Sequence, residues 1–394
     1  MNARERFFAA LTPGETPDRV PTHAIYLDGN LVDQVLGKPQ MCDFDLIDVV
    51  RRQFPDDEDF LSQLNSSVAA LEADTFKRVV EAGLAIGLDA VQVGVLYLQF
   101  VSEKEFTDVF GRRYAVVNNH GHAWPYYTGG TIKTEEQWRE EVQKPILENW
   151  TQHYSRLAKR FFRQVTRAFR NEKSVYVCVT NDIMGIWESA WQGMGMAAFG
   201  HLLRKKPEFV QEVFDAYADF TIAVYLAYVE AGARVFVTSE DLAFKGRPMM
   251  SPKVFEEMLV PCYRRLTDAI HEAASDSRVV LHTDGQITPL LEGIVRAGFD
   301  GLHSLEPEAG VDLALVKKKV GDRLALLGNV DTGHVLSGGT REEVESAVRA
   351  AICAAGGDGN FVVSPANMHP AVRVENLRWM VEAAKKWGKY PLSA

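Results

Sequence analysis

The sequence predicts an α/β protein, a closed (β/α)8 TIM barrel with a β-hairpin excursion in its N-terminal part. Three observations lead there. The second half of the 394-residue chain carries short β-branched runs with almost no polar alternation, the pattern of parallel strands covered on both faces. Capped helical segments fall between those runs. With two more runs upstream, eight β/α units follow one another along the chain, and such an alternation closes into a barrel more readily than it leaves an open sheet.

Taken in order, the upstream runs are RVPTHAIYL (19–27) and LDAVQVGVL (88–96). Residues 100–131 then break the rhythm. They alternate apolar and polar side chains around Gly111 and are rich in aromatics, which predicts an inserted β-hairpin and not a barrel strand. Thr134 to Gln137 reads as a capping box opening a helical stretch to about residue 170. The remaining strands are VYVCV (175–179), RVFVT (234–238), RVVLH (278–282), FDGLH (299–303), LALLG (324–328) and NFVVS (360–364). Pro207 to Glu230 has apolar residues at helical spacing, and Gly232 follows as a stop. Ser251-Pro252 and Thr288-Pro289 each read as an N-cap followed by proline at the first helical position. Thr340 to Glu343 fits a capping box. Residues 1–394 are read as one domain, since α/β barrels commonly hold this much chain.

The bulk properties exclude several classes. The chain has 43 basic against 53 acidic side chains, a formal net charge of −10. Binding to duplex nucleic acid needs a basic face that displaces counterions, so no nucleic-acid partner is expected. Cys42, Cys178, Cys262 and Cys353 are scattered, with no Cys-x-x-Cys pair, and read as ordinary reduced residues. The first residues, MNARERFFAALTPGE, are charged and amphipathic and unlike a signal peptide. The most apolar helical stretch, Phe220 to Val229, is too short to cross a bilayer. A cytoplasmic protein without membrane contact is expected.

Active-site groups of a barrel project from the C-terminal ends of its strands. Here those ends carry Tyr26 and Asp28, Asn181 and Asp182, Glu240 and Asp241, His282 and Asp284, His303 and Glu306, Asn329 and Asp331, and Asn367 and His369. The sharpest element is His282-x-Asp284, because imidazole and carboxylate are suitable ligands for Zn²⁺ or another divalent ion. Glu240 and Glu306, on neighbouring strand ends, are the candidate third ligands. A bland reading stays open beside it: His282 hydrogen-bonded in the core, Asp284 capping the helix near Pro289, and Glu240 or Asp241 paired with Lys245 or Arg247. The loop IMGIWESAWQGMGM (183–196), with Met184 and Trp187, offers adaptable apolar contact to a flat ligand or to a partner's cofactor. It equally suits a lid that packs on the barrel.

Three ordered blocks resemble the uroporphyrinogen decarboxylase superfamily: DLAFKGRPMMSPKVFEEMLVPCYRRL (241–266), LLGNVDTGHVL (326–336) and FVVSPANMHPAVRVENLRWMVEAAKKWGKY (361–390). The resemblance implies a (β/α)8 barrel. True decarboxylases of that superfamily carry an arginine-rich N-terminal segment that grips substrate carboxylates, whereas PTHAIYLDGNLVDQ (21–34) has no arginine. The superfamily's corrinoid-dependent methyltransferases hold zinc with a His-x-Cys motif and a later Cys. The matching positions here are His282, Asp284 and Asn367. Replacing both sulfurs by oxygen and amide groups implies a harder, more Lewis-acidic Zn²⁺. That is similar to O-demethylases, which move a methyl group from a methoxylated, usually aromatic, donor to the Co(I) corrinoid of a carrier protein.

On this resemblance His282 and Asp284 bind metal with Glu240 or Glu306. Asn181, Met184, Trp187, Asn367 and His369 line the substrate pocket, and Tyr26 or Asp28 contacts substrate or moves a proton. The implied partners are a corrinoid carrier protein and a small methyl donor, and a homodimer is compatible. Three alternatives stand beside this reading. They are methylcobamide-dependent transfer to a thiol or tetrahydrofolate, a decarboxylase of the same superfamily, and a non-catalytic subunit that binds a corrinoid protein.

Overall fold

The computed structural model describes residues 1–25, 27–37, 57–95, 98–119, 122–180, 185–368 and 370–392. Eight parallel strands make one sheet in chain order: β1 His23–Ala24, β2 Ala90–Val93, β3 Tyr176–Thr180, β4 Val235–Ser239, β5 Arg278–Thr283, β6 Gly301–Ser304, β7 Ala325–Val330 and β8 Phe361–Pro365. The last strand returns to the first. Thr22 and Val363 form a parallel bridge, and the Val363 amide donates to the Pro21 carbonyl at 3.0 Å. The sheet is therefore a closed barrel, and each of its strands lies at a run read from the sequence.

The apolar runs are explained by burial on both sides. The residues of β2 and β4 are all buried, facing helices outside and the barrel axis inside. Alternate residues point inward. Ala90, Cys178, Val235, Val237, Val280, Ala325, Leu327 and Val362 form one cluster with Phe7, Ala10 and Leu11. Those last three belong to the helix Ala3–Ala10 and its cap, which closes the N-terminal end of the barrel. Asn2 and Glu5 hold that helix with a reciprocal capping box. Two residues further along the strands, the inward positions become polar: Gln92, His282, His303 and Ser364 are all buried.

The helix Pro207–Glu230 runs as expected, with proline in its first turn, and Gly232 follows at φ 104°. Ser251 caps ahead of Pro252, and Thr340 with Glu343 makes a full capping box. Thr288 does not cap. It begins a short 3-10 turn, and its amide donates to the Gln286 side chain at 3.1 Å. Thr134 caps Gln137, and helical structure continues to Ala168 with two π-helical turns on the way. The single hairpin expected over 100–131 is larger. It is a four-stranded antiparallel meander of Leu98–Phe100, Glu105–Asp108, Arg112–Asn119 and His122–Gly130, and Gly111 at φ 75° makes one of its turns. The buried Arg112–Asp108 pair, 2.5 Å apart, stiffens it. Arg112 and the Tyr127 hydroxyl both reach Gln192, seating the meander on the helix Ile186–Met194.

One buried carboxylate fastens the short first strand. Asp89 is 2% exposed and accepts from Arg6, from both terminal nitrogens of Arg19, and from the amide and hydroxyl of Thr22, all at 2.7–3.1 Å. Removing one partner of such a network strands the others in a poor solvent. Asp89→Ala is expected to cost about 3–5 kcal/mol, measured as a lower urea midpoint. A midpoint within about 0.5 kcal/mol of the parent would show that the network is not needed.

Candidate functional site at the barrel mouth

His282 is the penultimate residue of β5 and is buried, and Asp284 follows where the chain leaves the strand. The His282 Nε2 and Asp284 Oδ1 are 3.9 Å apart. Asn367, beyond the end of β8, donates its Nδ2 to Asp284 Oδ2. Three residues from two separate chain segments thus meet at the C-terminal rim. Asp284 Oδ1 is buried with no hydrogen-bond partner among the described residues. The Ser304 hydroxyl, also buried, lies near Asp284 without hydrogen-bonding geometry. An acceptor that faces an imidazole nitrogen and is met by no donor calls for a cation or a proton. Asp284 does not cap the helix near Pro289.

The surroundings sharpen that demand. Burial raises Asp284 well above the usual carboxylate range, and the nearby Glu306 and Asp241 carboxylates push it further. Asp241 is raised by burial and by Glu306. Burial, Asp241 and Glu240 raise Glu188, which Arg112 opposes. His282 is lowered to about 3 by burial and by His23, so its imidazole is neutral. The mouth therefore concentrates carboxyl groups against uncharged imidazoles. Lys245 pairs with Glu308 on the outside.

The four expected metal ligands do not share one sphere. His282 and Asp284 meet. Glu306 adjoins them but spends Oε2 on the Gly285 amide at 2.8 Å. It is aimed there by Leu305, whose φ of 61° lies in the left-handed region, and Asn329 at φ 77° braces the turn by donating to the Leu305 carbonyl. Glu240 is a helix cap and not a ligand-like group. Its oxygens accept from the amides of Ile186, Trp187 and Glu188 at 2.5, 3.2 and 3.0 Å, and the Tyr263 hydroxyl adds a bond at 2.6 Å. Gly185 permits this approach, because a Cβ there would stand 2.5 Å from Glu240 Oε2. Among the described residues, the group of three or more ligand-type side chains drawn within 4.8 Å is Glu308, Asp331 and His334, on the outer rim.

Other expected contacts also move. Asp28 caps the helix Gly29–Leu36 by accepting from Leu31 at 2.9 Å. Trp187 is drawn into the core against Phe199 and Phe214, so this part of the apolar loop is packing and not a ligand platform. Tyr26, Asn181, Met184 and His369 lie outside the described residues. His23 and Gln92 lie ahead of the C-terminal ends of their strands, so the strand-end pattern does not point to them. A polar residue in the middle of an apolar run was the available signal for both.

The sequence model of the uroporphyrinogen decarboxylase (URO-D) family matches residues 132–387. The chain belongs to that family. The methylcobamide:CoM methyltransferase MtaA of Methanosarcina barkeri is 29% identical over 184 residues, 46% of this chain and 50% of that protein. MtbA of Methanosarcina mazei, of the same description, is 28% identical over 209 residues, 53% and 58% of the two chains. The uroporphyrinogen decarboxylase of Prochlorococcus marinus is 26% identical over 182 residues, 46% and 49%. The chain spans about half the length of these curated relatives. A solved methyltransferase from Methanosarcina mazei superposes with a TM-score of 0.71 at 21% identity, covering 98% of this chain and 99% of that one, which establishes the shared barrel. No helix among the described residues is long and apolar enough to cross a membrane.

Burial raises Glu240 from its ordinary 4.5 to about 7, against the pull of the Tyr263 hydroxyl and the helix amides. The folded state then holds this proton more tightly than the unfolded one. Its contribution is fully present below about pH 4.5 and is lost as the pH rises through about 7. Glu240→Gln copies the protonated form, so its urea midpoints should decline less than the parent's between about pH 5 and 7.5, by on the order of 3 kcal/mol. Parallel curves would remove the assignment.

Proposed function

We propose that this protein is a corrinoid-dependent methyltransferase that takes a methyl group from an oxygen of a methoxylated aromatic compound and delivers it to the Co(I) corrinoid of a carrier protein. The observation that carries the reading is the facing pair of His282 Nε2 and the unpartnered Asp284 Oδ1 at the barrel mouth, 3.9 Å apart. Two tetrahedral ligands each about 2.0–2.2 Å from one ion stand roughly 3.3–3.6 Å apart, so the pair would close by a few tenths of an ångström around a divalent cation such as Zn²⁺. Support for methyl transfer comes from the methyltransferases among the family's relatives.

The donor set favours oxygen chemistry. The thiol-directed branch that the sequence resembles holds its zinc with two sulfurs, and here those positions are Asp284 and Asn367. A cation held by His282 and Asp284 supplies Lewis acidity toward an ether oxygen whose leaving group is otherwise poor. Asn367 holds the Asp284 carboxylate in orientation through Oδ2 and leaves Oδ1 toward His282. The neutral His282 adds no charge to oppose a cation. Glu240 fixes the helix Ile186–Met194 as one wall. The protein's part is thus to orient the donor, while Co(I) as substrate needs no activation from it. Met184, Asn181 and His369 are assigned to the donor's pocket, and Tyr26 to proton transfer.

A second reading is favoured by the relatives' descriptions: transfer from a methylcobamide to a thiol such as coenzyme M. Purified protein incubated with cob(I)alamin and a methoxybenzoate should form methylcobalamin, followed by its absorbance. Incubation with methylcobalamin and a thiol should not consume it. The reverse pattern would replace the first reading by the second. Metal analysis should find about one divalent ion per chain, and His282→Ala should lose it. A metal-free parent that still methylates the corrinoid would sink the role of the pair.

A further inference from the structure

Residues 135–168 form one uninterrupted helical run on the flank of the barrel, between β2 and β3. At up to about 1.5 Å per residue it is roughly 50 Å long. Its charges are segregated. Residues 135–150 carry five acidic side chains with one lysine and one arginine, whereas residues 151–170 carry six lysines and arginines and no acidic residue. Arg156, Arg160, Arg163 and Arg167 follow one another at helical spacing, and Arg170 continues the row just past the helix. All five are exposed, opposite the face that buries Leu157, Phe161, Phe162 and Val165. Lys159 pairs with Glu230, but no ion pair among the described residues takes any of the five arginines.

A row of guanidinium groups calls for an anionic counterpart. Docking on a lipid surface adds an apolar edge that inserts, and holding single-stranded nucleic acid adds aromatic faces for the bases. Between Arg156 and Arg170 no large apolar or aromatic side chain is exposed. The counterpart that matches the row in length and form is the other half of the same helix, where Glu136, Glu140, Glu141 and Glu148 are exposed. The two cations in that half are occupied: Lys144 bonds Glu140 at 3.2 Å and Arg139 bonds Glu212 at 2.8 Å. Counted outward from the midpoint of the run, Arg156 and Glu148 come first, Arg163 and Glu140 next, and Arg167 and Glu136 last. Two such helices laid antiparallel therefore set arginine against glutamate on both sides of a twofold axis, the self-complementary surface that a symmetric dimer requires. Near the midpoint Leu147 is 70% exposed and lines a groove with Ile146, Thr151 and Phe220. That gives the contact an apolar centre between charged ends.

We propose that residues 135–168 are the surface through which two copies of this chain pair as an antiparallel dimer, the arginine half of each lying on the glutamate half of the other. The pairing does not depend on the chemistry at the mouth. Barrel helices run counter to their strands, so antiparallel flanks turn the two mouths to opposite ends, and each stays open to its own partner. Exposed ion pairs are individually weak and are screened by salt, which makes the dimer salt-sensitive.

Sedimentation equilibrium of the full chain over a range of protein concentrations reads the dimer directly. Its dissociation constant should rise about 10-fold or more between about 0.1 M and about 1 M salt, as the Debye length falls from about 10 to about 3 Å. Arg160→Glu combined with Arg163→Glu should give a monomer, and so should Glu140→Arg combined with Glu141→Arg, each with the circular dichroism of the parent. An equimolar mixture of the two variants should dimerise again, because the reversed halves meet each other while the unreversed halves keep their pairing. A parent that stays monomeric at the lower salt overturns the proposal without any variant. So does a dimer that survives either reversal, or a pair of folded monomeric variants that does not recover on mixing. A monomeric parent held through the arginine row by phosphatidylserine vesicles or by single-stranded DNA would give the surface another occupant and end the proposal as well.

Discussion

The site depends on the closure of the barrel between its first and last strands. β1 contributes only two residues to the sheet, and the seam is held by the Thr22–Val363 bridge and the Val363 to Pro21 bond. Such a short strand cannot hold its place by pairing alone. Asp89 compensates from β2, where it grips Thr22 and two arginines from the preceding segment. This closure sets His23 beside Ser364 and His303. Without it the polar layer would end at β8.

A polar layer inside a barrel is costly unless each group finds a partner. The lower layer, from Ala90 to Val362, is apolar and packed by the N-terminal helix. The upper layer gives up that hydrophobic contribution in exchange for defined orientation of side chains at the mouth. Asp284 goes further. Its second oxygen is left without a donor amid other carboxyl groups, an arrangement that is destabilising in the isolated chain and relieved by whatever cation or proton the site takes up.

The architecture was legible because its cause is repetitive. Burial on two faces imposes the same apolar composition on strand after strand, and that composition marks each of them in the sequence. The meander was read as smaller than it is, because alternation shows that strands pair but not how many times they fold back. His282 and Asp284 were legible from position, since strand ends face the mouth. Glu240 has the same position and composition, yet its carboxylate turns to the helix Ile186–Met194. That choice depends on the space left by Gly185, a contact distant in sequence. Trp187 was misplaced for a related reason: its neighbours Phe199 and Phe214 come from later helices, and an apolar loop cannot declare which side it will pack.

Leu305 and Asn329 hold left-handed backbone at two successive strand ends, where glycine would rest without strain. Such conformations cost on the order of 1–3 kcal/mol each. The rim is thus tensioned beside Glu306, and heat tolerance and geometric fidelity pull against each other there. A variant selected for a higher melting temperature would find relief at these positions, and the same relaxation would let the Glu306 carboxylate wander from the Gly285 amide.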